Sequence, residues 1–260
     1  METEPLLLST SDGVATVVIN RPARKNAVTQ AMWVDLAARA NILSADPDVR
    51  VIVLRGMGDD FSAGADIGEF DTLRGDATSA RAYEATNSAA FAALRNCTVP
   101  VIAAIRGICF GGGFGLAAAC DLRIATADAQ FAVPAARLGL AYPQDAMGDI
   151  VWAAGPQMAR YLTYTAGRID ARAALSAGFL LEIVEAERFD ARIDEIARTI
   201  AENAPLSVRA SRAAIRAALS HDAEEAALAQ AAGDATFLSD DYAEGRAAFA
   251  ARRTPMFKGR

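Results

Sequence analysis

"FGGGFGLAAACD", residues 110–121, places four glycines within five positions, after the apolar run Val101–Ile105 (VIAAI) and ahead of alanine-rich sequence. A β-branched run bounded by turn formers reads as a buried strand, and the alanines favour a helix, so the stretch predicts strand, glycine turn and helix in succession. Glycine accepts strained dihedrals and carries no Cβ, so such a turn can present backbone N–H groups to negative charge. Close helix-to-strand packing would explain one or two of these glycines, but four poorly. The dinucleotide fingerprint G-x-G-x-x-G fails here because Leu116 follows Gly111 and Gly113 at the third position. A P-loop fails too, since no Lys-Ser or Lys-Thr follows.

Working outward, Val14–Ile19 (VATVVI) and Val51–Leu54 (VIVL) read as strands. Between them Met32, Leu36, Ala40 and Leu43 recur at helical spacing behind Thr29 as N-cap. Tyr83, Ala90, Phe91 and Leu94 form a second helical stripe before Pro100. Strand and helix alternate, which predicts an α/β core built on crossovers. After about residue 140 strands become rare. Phe189, Ile193, Ile196 and Ile200 mark a helix, Pro205 opens another, and 222–252 is alanine-rich helical material with few large apolar anchors. Such a segment is expected to pack on the core or on another subunit. The division expected is a core over 1–195 and a helical region over 196–260.

At 260 residues the chain can bury a substantial interior, and a hydrophobic fraction of 53% with 22% charged residues is that of a folded protein. A net charge of -6 argues against a broad nucleic-acid surface, though a local basic pocket for a phosphorylated ligand fits. Cys97, Cys109 and Cys120 lie in apolar surroundings without CxxC spacing and read as reduced, buried residues. The single histidine, His221, near a helix end, removes metal triads and Ser-His-Asp chemistry; no metal is expected. METEPLLLSTSDG lacks a basic n-region and the apolar runs fall short of a membrane span, so a soluble, unprocessed cytoplasmic protein without membrane or nucleic-acid partners is expected.

A second backbone-rich segment, "DDFSAGADIGEF" (59–70), also follows a strand. Two such loops could each supply one N–H to the same developing oxyanion. These segments, with "INRPARKNAV" (19–28), "AQFAVPAARLGL" (129–140), "TAGRIDARAALSAGFLLEIV" (165–184) and the ending "RRTPMFKGR" (252–260), occur in an order that resembles the crotonase superfamily, the enoyl-CoA hydratase/isomerase family. The resemblance runs from about residue 12 to the C-terminus. It implies an α/β spiral of ββα units, a C-terminal helical trimerisation region, and a homotrimer or a hexamer of two trimers. It also implies an acyl-CoA thioester as substrate, with coenzyme A entering only as part of that substrate and no permanently bound cofactor. By position, the oxyanion hole falls on the N–H groups of Ala65 and Gly112. The CoA path falls on Ala63, Asp66 and Ile67. Arg24 and Lys25 resemble basic residues near the CoA phosphates, and Phe257 and Lys258 match tail positions that reach a ligand, including a neighbouring subunit's.

The resemblance departs at the acid and base. Hydration of an enoyl thioester is work for paired carboxylates. The family hydratases' two glutamates fall here on Gly115 and Ala135. The dehalogenase branch of the family shares a glycine at the first position, but its aspartate nucleophile falls on Pro143, and its tryptophan and histidine are missing. The remaining acids are in "LAYPQDAMGDIV" (140–151), where Asp145 and Asp149, four apart, would share one helical face. They are the candidate acid/base pair, Asp145 first, with charge stabilisation of a helix N-terminus as their competing role. The expectation is an acyl-CoA enzyme, a lyase or isomerase that stabilises a thioester enolate with other acid/base residues. The alternative is an inactive acyl-CoA-binding protein.

Overall fold

The computed structural model of the chain describes residues 4–260. Strands β1 (Leu6–Ser11) and β2 (Val14–Ile19) form an antiparallel hairpin across Asp12-Gly13, both at positive φ (51° and 80°). That pair of conformations is what a two-residue hairpin needs, and Asp-Gly is a favoured sequence for it. Helix α1 (Gln30–Ala45) follows, with the Thr29 hydroxyl accepting from the Met32 N–H as the spacing predicts. Next come β3 (Val51–Gly56), the single-turn α2 (Phe70–Leu73), α3 (Ala77–Arg95), β4 (Val101–Ile105), β5 (Ile108–Phe110), α4 (Gly112–Ala119), β6 (Leu122–Thr126) and β7 (Gln130–Ala132). Helix α5 (Gln144–Thr165) bends at Gly155, which sits at φ 75° directly before Pro156. Then come β8 (Arg168–Asp170), α6 (Ala171–Ser176), β9 (Glu182–Val184), α7 (Phe189–Glu202), α8 (Pro205–Ser220), α9 (Ala223–Thr236) and α10 (Asp240–Ala251).

The strands divide between two sheets. One runs β1-β2-β3-β4-β6-β9 and is parallel from β2 onward; the other runs β5-β7-β8. Each turn of the chain therefore lays one strand in the large sheet, a short piece in the second layer, and then a helix. Both faces of the large sheet are buried, which is why its central strands read as unbroken apolar runs. Ile52 and Leu54 of β3, with Val101, Ala103 and Ile105 of β4, face a core shared with α1 and α3. The alternate residues Val51, Val53, Ile102 and Ala104 face Phe189, Ile193 and Ala197 of α7.

Residue 195 lies inside α7, and this helix packs on the sheet as one piece. The expected boundary at 195 therefore falls within a helix that packs on the sheet. Helix α8 is held to the core by arginines. Arg212 donates to the carbonyls of Cys97, Leu94 (3.3 Å) and Arg95 (3.0 Å) and pairs with Asp121 at 2.9 Å. Those carbonyls close α3, where the helix dipole favours a cation. His221 caps the C-terminus of α8 at φ 56°, the helix-end role expected of it. Of the alanine-rich segment's few large residues, Leu238 and Phe249 are 91% and 87% exposed on the single chain.

Candidate active site

The second layer is longer than its strands. Val28 bridges Ala65, and Ser62 bridges Cys109 of β5, so pieces from successive turns stack side by side. Along the extended piece 62–66, the Val28 N–H donates to the Gly64 carbonyl (2.8 Å) and the Asp66 N–H donates to the Val28 carbonyl (2.9 Å). Successive N–H groups of an extended segment point to opposite edges, so the Ala65 N–H faces the next turn, where α4 begins. Gly112 is the first residue of α4, and its N–H has no acceptor within the helix. Neither N–H makes a hydrogen bond among the described residues. The loops approach so closely that a Cβ on Gly64, which sits at φ 89°, would lie 2.7 Å from the Gly112 nitrogen and 2.6 Å from the Phe110 carbonyl oxygen. Gly111 turns the chain into α4 at φ 52° and ψ -118°.

Both residues border a cavity of about 130 Å³, walled by Phe91, Leu140 and Tyr142 among others. Ala63 and Ile67 line it as well. So does Ala135, one of the two positions where the resemblance implies a glutamate in the family's hydratases, and here it presents a methyl. The other such position, Gly115, stands behind the wall. A Cβ there would lie 2.7 Å from Phe91 Cζ and nearer still to the Tyr142 hydroxyl. That hydroxyl donates to the Gly111 carbonyl at 2.9 Å, and burial pushes the phenol well above its ordinary range, keeping it a neutral donor.

Three polar side chains on this wall were not singled out by the sequence: Arg74, Glu84 and Asn87. Arg74 lies over the Phe70 ring, 4.6 Å from its centre. Glu84, Asn87 and Phe91 stand at i, i+3 and i+7 of α3, the spacing of a single helix face, which was the available signal. Glu84 makes no ion pair or hydrogen bond among the described residues, and the Asn87 Oδ1 is buried without a partner.

Asp145 and Asp149 do share a helical face, at the start of α5, but neither lines this cavity. Arg95, at the end of α3, draws that face toward itself. Its Nη1 lies 2.5 Å from Asp149 Oδ2 and its Nη2 3.9 Å from Asp145 Oδ2, while Ser88 donates to Asp145 Oδ1 at 3.1 Å. Asp145 is 40% exposed; Asp149 is only 3% exposed and borders a second, larger cavity of about 640 Å³ beside α8. Burial raises the Asp149 carboxyl to about 6, against the opposing pull of Arg95. The folded protein then holds this proton more tightly than the unfolded chain, so the associated stability is present below about pH 4 and is lost as pH rises through about 6. Urea titrations are expected to show wild type losing stability relative to Asp149→Asn, on the order of 2 kcal/mol between pH 4 and 7. A constant difference across that range would contradict the assignment.

The residues expected along the CoA path are dispersed. Lys25 sits in a left-handed turn directly after Arg24, accepts the Ala63 N–H at 2.8 Å and holds its ammonium 4.0 Å from Asp60. Asp66 caps the turn Ile67–Glu69. Burial opposes its charge, but Arg21 at 2.8 Å and the Gly68 N–H hold its carboxyl below the usual range. Phe257 and Lys258 are not brought to this cavity by their own chain. The Phe257 carbonyl accepts from Arg50 at 2.9 Å, its ring borders the larger cavity, and the Lys258 N–H donates to Asp241 at 2.6 Å. All three cysteines are free and buried.

The family profile described as Enoyl-CoA hydratase/isomerase matches residues 9–260. The chain is 32% identical over 259 residues to a crotonyl-CoA hydratase of Syntrophomonas wolfei, covering 99% of each. It is 34% identical over 205 residues, 78% of this chain and 77% of the relative, to a Rhodococcus jostii hydrolase of a methyl-dioxo-hexahydroindene-carboxyl-CoA. In structure it is similar to an enoyl-CoA hydratase/carnitine racemase from Magnetospirillum magneticum, with TM-score 0.93 and 37% identity, covering 100% of this chain and 97% of that one. The enoyl-CoA hydratase of Bacillus anthracis gives TM-score 0.91 and 29% identity over 99% and 100%. With its spiral of strand, strand and helix and its matched length, the chain belongs to the enoyl-CoA hydratase/isomerase family, the crotonase superfamily.

Proposed function

We propose that this protein stabilises the enolate of a short acyl-CoA thioester and moves a proton along its acyl chain. The observation that carries this is the pair of unbonded N–H groups, Ala65 and Gly112, brought together at one cavity by neighbouring turns of the spiral. A thioester oxygen seated there accepts from both. When a proton leaves the α-carbon, its electron pair forms the new carbon–carbon double bond and the carbonyl π pair moves onto that oxygen. Preorganised donors in a water-poor site stabilise such charge far better than water does.

An apolar wall of Phe91, Leu140 and Ala135 suits a short hydrocarbon group, while Ala63 and Ile67 offer the pantetheine an entry along the cavity rim. Arg24 and Lys25, exposed beyond that rim, are the cations we assign to the CoA phosphates. The exposed Leu238 and Phe249 fit self-association through the C-terminal helices. No helix among the described residues is long and apolar enough to cross a membrane.

Gly115 and Ala135 together leave no carboxylate pair for ordinary water addition, which favours isomerisation of the double bond over hydration. A panel of four- to six-carbon 2-enoyl and 3-enoyl thioesters tests this directly. Conversion of 3-enoyl to 2-enoyl thioester is expected, with little 3-hydroxyacyl product. Tight binding of every thioester with no product from any would overturn the reading in favour of an inactive binding protein.

A further inference from the structure

We propose that Glu84 is the catalytic acid/base of this site, the group that takes the α-proton and returns it. The inference rests on the enolate reading above. Glu84 is the one carboxylate among the residues that wall the cavity bordered by the Ala65 and Gly112 amides. Four other acids near that cavity are partnered: Glu69 accepts the Gln30 N–H at 2.8 Å, Asp66 holds Arg21, and Asp145 and Asp149 face Arg95. Half-buried Glu84 has none among the described residues. Its carboxylate oxygens, unlike the Asn87 Oδ1, keep contact with solvent, so the group is free to exchange a proton at the cavity it lines.

One turn along α3, the buried Asn87 Oδ1 also lacks a donor. The two unbonded N–H groups, the unpaired carboxylate and the unbonded amide oxygen thus belong to residues that line one small cavity. The first two suit a carbonyl oxygen, the third an acidic C–H, and the fourth a donor on the substrate or a water beside it. The step balances with this one group. Glu84 removes a proton from Cα of 3-butenoyl-CoA, the C–H pair forms a double bond between Cα and the thioester carbon, and the carbonyl π pair moves onto the thioester oxygen. As the oxygen pair re-forms the carbonyl, the π pair between the thioester carbon and Cα shifts to Cα–Cβ and the Cβ–Cγ π pair takes the proton back from Glu84 at Cγ, giving 2-butenoyl-CoA. No oxidant, water or other reactant enters.

The test is conversion of 3-butenoyl-CoA in deuterium oxide, with label at Cα and Cγ read by mass spectrometry and thioester affinity by calorimetry. Glu84→Gln is expected to slow label entry and isomerisation by at least about 10²-fold, with affinity within about threefold of wild type. In Glu84→Ala, added formate is expected to restore a measurable part of the rate, which a purely structural role would not allow. Undiminished label entry in Glu84→Gln, or a loss that formate leaves unchanged, overturns the assignment while the enolate reading stands. Loss in Asp145→Ala with none in Glu84→Gln transfers the role to Asp145. If wild type binds the thioester yet neither exchanges nor isomerises it, the enolate reading itself falls, and this proposal with it.

Discussion

Ala65→Pro is expected to slow turnover of 3-butenoyl-CoA by about 10²–10³-fold while the protein stays folded. Proline deletes the hydrogen-bond donor at this position and sets its ring Cδ where the N–H pointed, toward the start of α4. The Ala65 N–H makes no bond among the described residues, and the bridge to Val28 runs through the Gly64 carbonyl and the Asp66 N–H, both of which survive the change. The residue before the new proline is glycine, which tolerates the pre-proline restriction best. Thioester affinity, set largely by the CoA moiety, is expected to change little, so the loss should fall on kcat rather than KM. Replacing the same amide by an ester, with lactate in place of alanine, removes the N–H without adding a ring and should give a loss of the same order. Full activity in both would mean that this amide does not touch the reacting oxygen. Urea unfolding of the proline variant supplies the control, since a destabilised loop would shift the midpoint.

Much of the backbone that frames this cavity is legible in the sequence, for a physical reason. Backbone chemistry leaves its mark on glycines and small residues, and the segments 61–70 and 110–121 carry those marks in plain order. The strands Val14–Ile19, Val51–Gly56 and Val101–Ile105 were equally readable, because burial on both faces demands unbroken apolar runs. Strand β1 was not: its LLLSTS mixes apolar and polar residues at a sheet edge, and its pairing is decided by the Asp12-Gly13 hairpin beyond it. Side-chain chemistry was harder. The four-residue spacing of Asp145 and Asp149 correctly places them on one helical face, but which way that face turns depends on Arg95, fifty residues away in the chain. Glu84 and Asn87 share the opposite fate: on α3 they read as ordinary polar positions, and only the packing of that helix across α4 and α5 turns them to the cavity. The absence of a carboxylate at position 115 was visible at once. What occupies its space was not.

That occupant leads to the second large expected effect: Gly115→Glu, which installs the residue type the resemblance implies for hydratases, should cost about 3–5 kcal/mol of stability and yield no hydratase. A side chain at 115 must enter space already held by the Tyr142 hydroxyl and the Phe91 ring edge, 2.7 and 2.9 Å from its Cβ at Phe91 Cζ and Cε1. Neither ring can yield cheaply. Phe91 packs edge-on against Trp33 at 5.6 Å and stacks with Tyr142 at 6.5 Å, so a shift of one displaces three aromatic groups. Overpacking of this kind costs about 1–3 kcal/mol, and burying an unpaired carboxylate or breaking the Tyr142 bond to the Gly111 carbonyl adds to it. The same bond ties stability to function. The Gly111 carbonyl that Tyr142 holds belongs to the peptide whose N–H is the Gly112 donor, so displacing Tyr142 frees that donor to turn. If this account is right, Gly115→Glu combined with Tyr142→Ala will be less destabilised than the two single changes sum to, by at least about 1 kcal/mol in urea unfolding. Strict additivity would show that the two positions do not share the space. A gain of water addition in Gly115→Glu alone would show that the wall yields, and that this chain's departure from the hydratases is a matter of one residue. On the packing described here it is a matter of at least two, because the glycine and the tyrosine each make room for the other.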